Sequence, residues 1–273
     1  MDVLTNILKD KNFMLKPITH ALLTLIITVI PYTSSADTTP IDEQQIKDLQ
    51  QQIGALETTV KALQEKIQTL TLLDLLDNGL VAYYPFNGND ESPNGHTVHG
   101  ATLVKDRFGN RESAYSFNGK NSRIKLSASA IAGTELTLNL WLKTKDDKYG
   151  LVSGANQSFN NEYLIYFRKK LILHYHDKEV NTDINVSDNS WHMLTIVTSI
   201  SQTQIYVDGL RREIIDIGSN SPFKVEGLWI GGDQDRVNGR WQTHQQFEGI
   251  VDEVRIYHRV LSGFEIQGLY TLH

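Results

Sequence analysis

At 273 residues, with 40% hydrophobic and 21% charged residues, the chain has the composition of a globular protein holding one large domain or two small ones. A formal net charge of −6 with no clustered Lys/Arg run excludes a phosphate-gripping nucleic-acid binder, and the isolated pairs Lys169-Lys170 and Arg211-Arg212 read as solvated turns. There is no cysteine, which excludes disulfides, thiolate zinc sites, cysteine nucleophiles, iron–sulfur clusters and a cysteine-linked lipid anchor.

The first predicted element is an export segment. Lys16 precedes an apolar run from Ile18 to Ile30 that is broken only by Thr and His20; Pro31 stops it, and Ser34-Ser35-Ala36 follows. A basic residue, an apolar stretch and then small residues is the order of a secretory signal peptide over residues 1–36, cleaved after Ala36. The run of about 13 residues is short for a bilayer span, which needs roughly 20. An uncleaved membrane anchor through residues 16–33 is the alternative. Asp2 and Asp10 offset Lys9 and Lys11 ahead of Met14, so Met1 and Met14 both stand as candidate starts. The expected location is secreted, periplasmic or cell-surface.

Residues 41–76 are predicted to form a helix of coiled-coil type. Ile46, Leu49, Ile53, Leu56, Val60, Leu63, Ile67 and Leu70 follow one another in steps of 3 and 4, four heptads long. Every a position is β-branched and every d position is Leu, which favours a parallel dimer through residues 46–70, with a trimer next. Gly54 sits inside this helix at a cost of about 1 kcal/mol relative to Ala. The alternative is an amphipathic helix packed on its own domain.

From residue 79 the pattern changes to short apolar alternations separated by Asn, Gly, Asp and Ser. Strands are predicted at 80–86, 113–117, 123–126, 136–143, 151–153, 163–168, 171–176, 191–198, 202–207, 228–231 and 249–257. Asp208-Gly209 is a two-residue hairpin signal, and Ser262 with Glu265 forms a capping box opening a short last helix. The fold class is therefore all-β: a two-sheet antiparallel β-sandwich of jelly-roll type, preceded by a long N-terminal α-helix.

Several blocks carry a family resemblance. The opening Gly79-Leu80-Val81-Ala82-Tyr83-Tyr84-Pro85-Phe86-Asn87-Gly88, the turn Asp106-Arg107-Phe108-Gly109-Asn110 and the hairpin Ile205-Tyr206-Val207-Asp208-Gly209 come in that order. The ending Phe247-Glu248-Gly249-Ile250-Val251-Asp252-Glu253-Val254-Arg255-Ile256-Tyr257 completes the set. Together they resemble laminin-G-like, concanavalin-A-like jelly-roll domains across residues 79–273. The resemblance implies a surface module that binds a glycan or a cell-surface protein, often with a calcium ion.

Candidate site residues follow. Simple alternation in 250–257 puts Asp252 on one face with Val254 and Ile256, so a buried carboxylate there needs a partner. Ca²⁺ suits it, with Asn87 and Asp90 at the end of the first strand as further oxygen donors; capping of backbone amides by Asp252 is the competing role. Trp141 alternates opposite Leu136, Leu138, Leu140 and Leu142 and is expected to point outward, open to a sugar ring or else covered by a loop. Tyr166 faces outward by the same reasoning, and Trp241 and Tyr149 are placed in loops as further ligand-binding aromatics. Trp191 and Trp229 read as core or rim. Asp233-Gln234-Asp235 reads as a solvated loop, and His174 and His176 as one exposed strand face. No nucleophile elbow, zinc-protease helix or paired-acid strand occurs, so a non-catalytic recognition module made multivalent by its coiled coil is expected. A structural envelope component and a glycoside-hydrolase-like enzyme are the alternatives.

Overall fold

The computed structural model describes residues 42–88, 94–145, 148–158, 161–176, 178–218 and 221–272. The predicted export segment, with the cleavage expected after Ala36, lies outside these residues. By its internal contacts the chain divides into two units, residues 1–62 and 63–273.

One helix, α1 (Glu43–Asp77), runs unbroken for 35 residues. Asp42 starts it: its carboxylate accepts the Gln44 N–H at 3.0 Å and its carbonyl the Ile46 N–H at 3.2 Å. Ile46, Leu49, Leu56, Leu63, Ile67 and Leu70 of the a/d stripe are all exposed. The last turns behave differently, since Leu76 is buried and Leu72 is partly buried. Gly79 at φ 72° ends the helix in the left-handed conformation that glycine tolerates. The Arg259 guanidinium then donates to the free carbonyls of Leu75 and Asn78, each at 2.6 Å, complementing the negative end of the helix. None of the described helices is long and apolar enough to cross a membrane.

The strands come in three runs. The first holds β1 (Leu80–Tyr84), β2 (Thr97–His99), β3 (Thr102–Val104), β4 (Ala114–Asn118), β5 (Arg123–Leu126), β6 (Ala132–Gly133) and β7 (Leu136–Lys143). The second holds β8 (Lys148–Ala155), β9 (Tyr163–Arg168), β10 (Lys170–Tyr175), β11 (Lys178–Asn181), β12 (Trp191–Thr198) and β13 (Gln202–Val207). The third holds β14 (Leu210–Asp216), β15 (Phe223–Lys224), β16 (Gly227–Ile230), β17 (Gly232–Arg236), β18 (Gly239–Gln246) and β19 (Glu248–Tyr257), and α2 (Gly263–Thr271) closes the chain.

These strands build two large sheets. An eight-stranded sheet runs β14-β13-β12-β7-β19-β4-β3, with β1 also on β19. A nine-stranded sheet runs β11-β10-β9-β8-β16-β5-β2, with the β17–β18 hairpin off its path. The inner faces enclose one core containing Tyr84, Phe117, Phe167, Phe247 and the Leu136-Leu138-Leu140-Leu142 row of β7. Asp208 (φ 55°) and Gly209 (φ 76°) form the predicted hairpin turn, and Ser262 with Glu265 forms the predicted capping box.

A second, smaller core lies on the outer face of the eight-stranded sheet. Leu76, Trp141, Met193, Val197, Tyr206, Tyr257, Leu261, Ile266 and Leu269 make it, joining the end of α1 to α2 and the sheet. Gly268 lets the helices approach: a Cβ there would stand 2.6 Å from Leu72 Cδ2. Two placements differ from expectation. Trp241 lies in strand β18 and Tyr149 in strand β8, not in loops; the Tyr149 side chain lies outside those described.

Candidate functional site

The two outer faces of the sandwich separate the predicted site residues. On the eight-stranded sheet, Trp141 points away from the main core as its alternation requires, yet it is only 7% exposed. Tyr270 of α2 stacks on its ring (centroids 5.6 Å, planes at 17°), and the Arg107 guanidinium lies 4.4 Å from its centroid. No sugar ring reaches it there. The expectation of an open stacking surface at Trp141 is thus corrected: α2, with the Asp106–Asn110 turn, covers it. That turn is held by Asp106, whose carboxylate accepts the N–H groups of Phe108 (2.9 Å) and Asn110 (2.8 Å).

Asp252 is also corrected. A β-bulge falls between Asp252 and Arg255, with Glu253 at φ 54°. The extra residue breaks the period of two, so Val251 and Val254 both enter the main core. Asp252 pairs in register with Trp141 on the opposite side. Its Oδ2 receives Arg107 Nη1 at 3.1 Å, in a pair whose side chains are 2% and 7% exposed. Burial and the Glu253 carboxylate push Asp252 up to about 8, while Arg107 acts to lower it.

These surroundings do not fit a cation at Asp252. Its Oδ1 has no hydrogen-bond partner, but a guanidinium already stands on the same carboxylate. Asn87 is exposed at the end of β1, and Asp90 lies outside the described residues. Among the described residues, no three His, Asp or Glu side chains gather as a metal site.

The outer face of the nine-stranded sheet is built differently. In β5, Ile124 and Leu126 face the core, so Arg123 and Lys125 face outward. Lys125 pairs with Trp229 on β16, and Arg123 with His99 on the edge strand β2. The β17–β18 hairpin leans over this face. Gln234 fixes it, donating 2.8 Å hydrogen bonds to the carbonyls of Ser153 and Gly227. The hairpin brings half-buried Trp241 edge-on to Trp229, with centroids 5.0 Å apart at 73°. The Arg123 guanidinium lies 4.2 Å from the Trp241 centroid, the His99 ring 5.3 Å from Trp229, and Trp229 Nε1 donates to Asn238 at 3.0 Å. The result is an aromatic corner carrying two basic side chains and one imidazole.

Farther along the same face, Asp233 is buried under the hairpin, not solvated as its sequence suggested. Its Oδ1 lies 3.3 Å from Ser153 Oγ. Burial first, then the neighbouring Asp235, push its carboxyl up to about 7. Tyr166 is half-buried on β9, and its hydroxyl donates to Glu179 at 2.6 Å. Burial and that bond raise the phenol well above its usual range.

A cavity of about 680 Å³ opens at the sandwich rim, lined by Glu162, His176, Lys178, Asp216, Ser221 and Lys224 among others. Buried Glu162 accepts the Lys224 N–H at 2.7 Å and meets His176 Nδ1 at 2.9 Å, and the imidazole stacks on Phe223. His174 and His176 do not share a strand face: β10 ends at Tyr175, and His176 turns away at φ 53°.

Residues 118–267, more than half of the chain, match the laminin G-like family described as the concanavalin A-like lectin/glucanases superfamily. The chain belongs to this superfamily. Among curated relatives, mouse (Mus musculus) neuronal pentraxin-2 is 29% identical over 144 residues, which is 48% of this chain and 32% of that protein. Human (Homo sapiens) neuronal pentraxin-2 is 28% identical over the same extent. The chain spans about a third of the length of the curated relatives it matches. Among solved structures, domain 4 of AbnA, a GH43 extracellular arabinanase from Geobacillus stearothermophilus in complex with arabinotriose, superposes with a TM-score of 0.57. It is 18% identical, covering 70% of this chain and 98% of that one. The binding domain of Paraclostridial Mosquitocidal Protein 1 gives 0.55 at 18% identity, covering 72% and 53%. At these identities the likeness is one of fold.

The jelly-roll superfamily thus supplies a sandwich, and the open aromatic corner on it was only partly visible in the sequence. Trp241 was a candidate; Trp229, Arg123, Lys125 and His99 were not. The available signal was the Arg-Ile-Lys-Leu alternation of β5, which sends two cations to one face.

Proposed function

We propose that this protein is an exported, non-catalytic recognition module that holds carbohydrate on the outer face of its nine-stranded sheet. The observation that carries the reading is the Trp229–Trp241 pair: a half-buried indole propped edge-on by a buried one and ringed by hydrogen-bonding side chains. A rigid aromatic ring at a polar, open surface suits the apolar face of a pyranose at small entropic cost. Membership in a lectin/glucanase superfamily supports it, as does a fold shared with an arabinanase domain solved with arabinotriose.

Multivalency belongs to the same proposal. The exposed a/d stripe of α1 suits self-association into a parallel dimer, with a trimer as the near alternative, and two linked weak sites grip a repetitive surface more tightly than one. Export through residues 1–36, to the cell surface or beyond, is the matching expectation. A glycan array probed with the full chain tests the function. Binding to a restricted set of glycans, lost in Trp241→Ala and kept in Tyr166→Phe, is expected. Binding that survives Trp241→Ala unchanged would remove the aromatic corner from the mechanism. Full-chain Ile53→Lys/Val60→Lys should run as a monomer in light scattering and lose avidity on a dense glycan surface. Wild type already monomeric at micromolar concentration would end the multivalent part.

A further inference from the structure

Arg123 is a partly buried charge to which no acid is paired among the described residues. Its guanidinium lies on Trp241 and donates one hydrogen bond, from Nη1 to Gln246 Oε1 at 3.2 Å. Its Nε–H is buried and has no acceptor. Among the described residues no carboxylate compensates it: the one influence on its titration is burial, which lowers its pKa. Arg107, on the opposite face, shows what a self-contained buried arginine looks like, with Asp252 on it at 3.1 Å. A partly desolvated cation without a counter-charge costs stability, so its placement calls for a use.

The neighbours point the same way. Lys125 sits two residues along the strand, about 7 Å away on the same outward face, and is exposed and without a described ion pair. His99, paired in register with Arg123, is also exposed. Two basic side chains and an imidazole thus surround the aromatic corner of a chain whose net charge is −6. The net charge disfavours polyanions in general, so a local basic group of this kind is what could draw one in.

We infer that the glycan taken by this corner is anionic, its carboxylate or sulfate group seated between Arg123 and Lys125 while a sugar ring lies by Trp241. A guanidinium stacked on an indole keeps its edge free, and that edge offers the paired donors that a carboxylate or sulfate accepts. The Nη donors that Gln246 does not take are the ones presented; the Nε–H is buried behind them.

This inference rests on the carbohydrate reading above, and the experiment separates the two. Binding of the full chain is measured by calorimetry to polygalacturonate, dextran sulfate and neutral dextran, at low and physiological salt. A preference for one or both polyanions is expected, polygalacturonate marking a carboxylate ligand and dextran sulfate a sulfate ligand. Arg123→Gln and Lys125→Gln should each weaken polyanion binding about tenfold or more, with Arg123→Lys recovering part of the loss. Arg211→Gln/Arg212→Gln, which removes two exposed cations from β14, should change nothing; an equal loss there would reduce the effect to diffuse charge and overturn the inference. Neutral dextran bound as tightly as the polyanions, with Arg123→Gln and Lys125→Gln both silent and Trp241→Ala inactive, would overturn the anionic ligand and leave the carbohydrate reading standing. Loss of nothing in Trp241→Ala would overturn both. Lys125 is exposed, so Lys125→Gln keeps the test readable should Arg123→Gln fold poorly.

Discussion

The two outer faces of this sandwich carry the same ingredients and use them in opposite ways. On the eight-stranded sheet a tryptophan, Trp141, meets an arginine, Arg107, and an acid, Asp252; α2 closes over the group and the guanidinium rests on the Asp252 carboxyl. On the nine-stranded sheet Trp241 meets Arg123, no acid among the described residues answers it, and only a narrow hairpin leans across. An identical pair of side chains becomes a plug in one place and an open corner in the other. The difference lies in what the chain adds afterwards: a nine-residue helix that buries Ile266 and Leu269, or a polar hairpin. Burial, not residue type, separates an aromatic that plugs the fold from one left open on its surface.

The largest effect that can break this comparison is Trp141→Ala. Removing a 7%-exposed indole that joins α2 to the sheet should cost about 3–5 kcal/mol in urea denaturation. Trp241→Ala should cost about 1 kcal/mol or less while abolishing glycan binding. Equal destabilisation by the two would erase the distinction between plug and platform.

Gly268 sharpens the plugged side. A Cβ there falls 2.6 Å from Leu72, so Gly268→Val should overpack the contact of α1 with α2 and cost about 1–3 kcal/mol. Leu72→Ala placed in the same chain should return part of that loss, because the two changes share one contact. Purely additive losses in that double-mutant cycle would mean that the helices do not meet as described.

On the open side, Asp233 tests how dry the ground beneath the hairpin is. Its folded pKa is raised from 3.8 to about 7, chiefly by burial. An acid so raised binds its proton more tightly folded than unfolded, so its contribution to stability is complete below about pH 4 and falls away as pH rises to about 7. Asp233→Asn keeps the shape and the contact with Ser153 and removes the charge. The variant should therefore melt several degrees higher than wild type at pH 8 and close to it at pH 4. A stability gap that does not grow with pH would place Asp233 in water.

Much of this was legible in the sequence, and the failures have specific causes. The alternation fixed the bounds of β5, β7, β9, β12 and β13 because each sends alternate apolar side chains into the core. Trp141 was correctly directed outward, but its cover, α2, is a long-range contact that no local pattern encodes. Asp252 was assigned to the wrong face because one extra residue at Glu253 shifts the period, and a bulge leaves little trace in composition. The β17–β18 hairpin went unread as strands because it crosses a polar face and needs no apolar alternation; Gln234 and Gln246 secure it instead. Arg123 looked like ordinary solvated charge. Only the missing acid, visible in three dimensions, marks it out.

The smallest effect expected lies at the turn beside the plugged face, and its sign can be worked out. Burial acts to lower the His192 pKa, but the hydrogen bond and charge of Asp208, with Asp188 adding to them, outweigh it and leave the pKa raised. Nδ1 meets Asp208 at 2.8 Å and Nε2 meets Asp188 at 3.2 Å, so both ring nitrogens serve carboxylates when the ring is charged. A raised histidine stabilises the fold fully below the unfolded value near 6.5 and loses that contribution as pH climbs through the folded value. This window opens where that of Asp233 closes. His192→Gln should therefore melt below wild type at pH 6, with the gap narrowing steadily toward pH 9. Asp208→Asn, which retains an acceptor for the Met193 N–H now bound at 2.9 Å, should reproduce the same narrowing. A gap that stays constant across that range would mean that His192 acts through packing alone, with its charge unused.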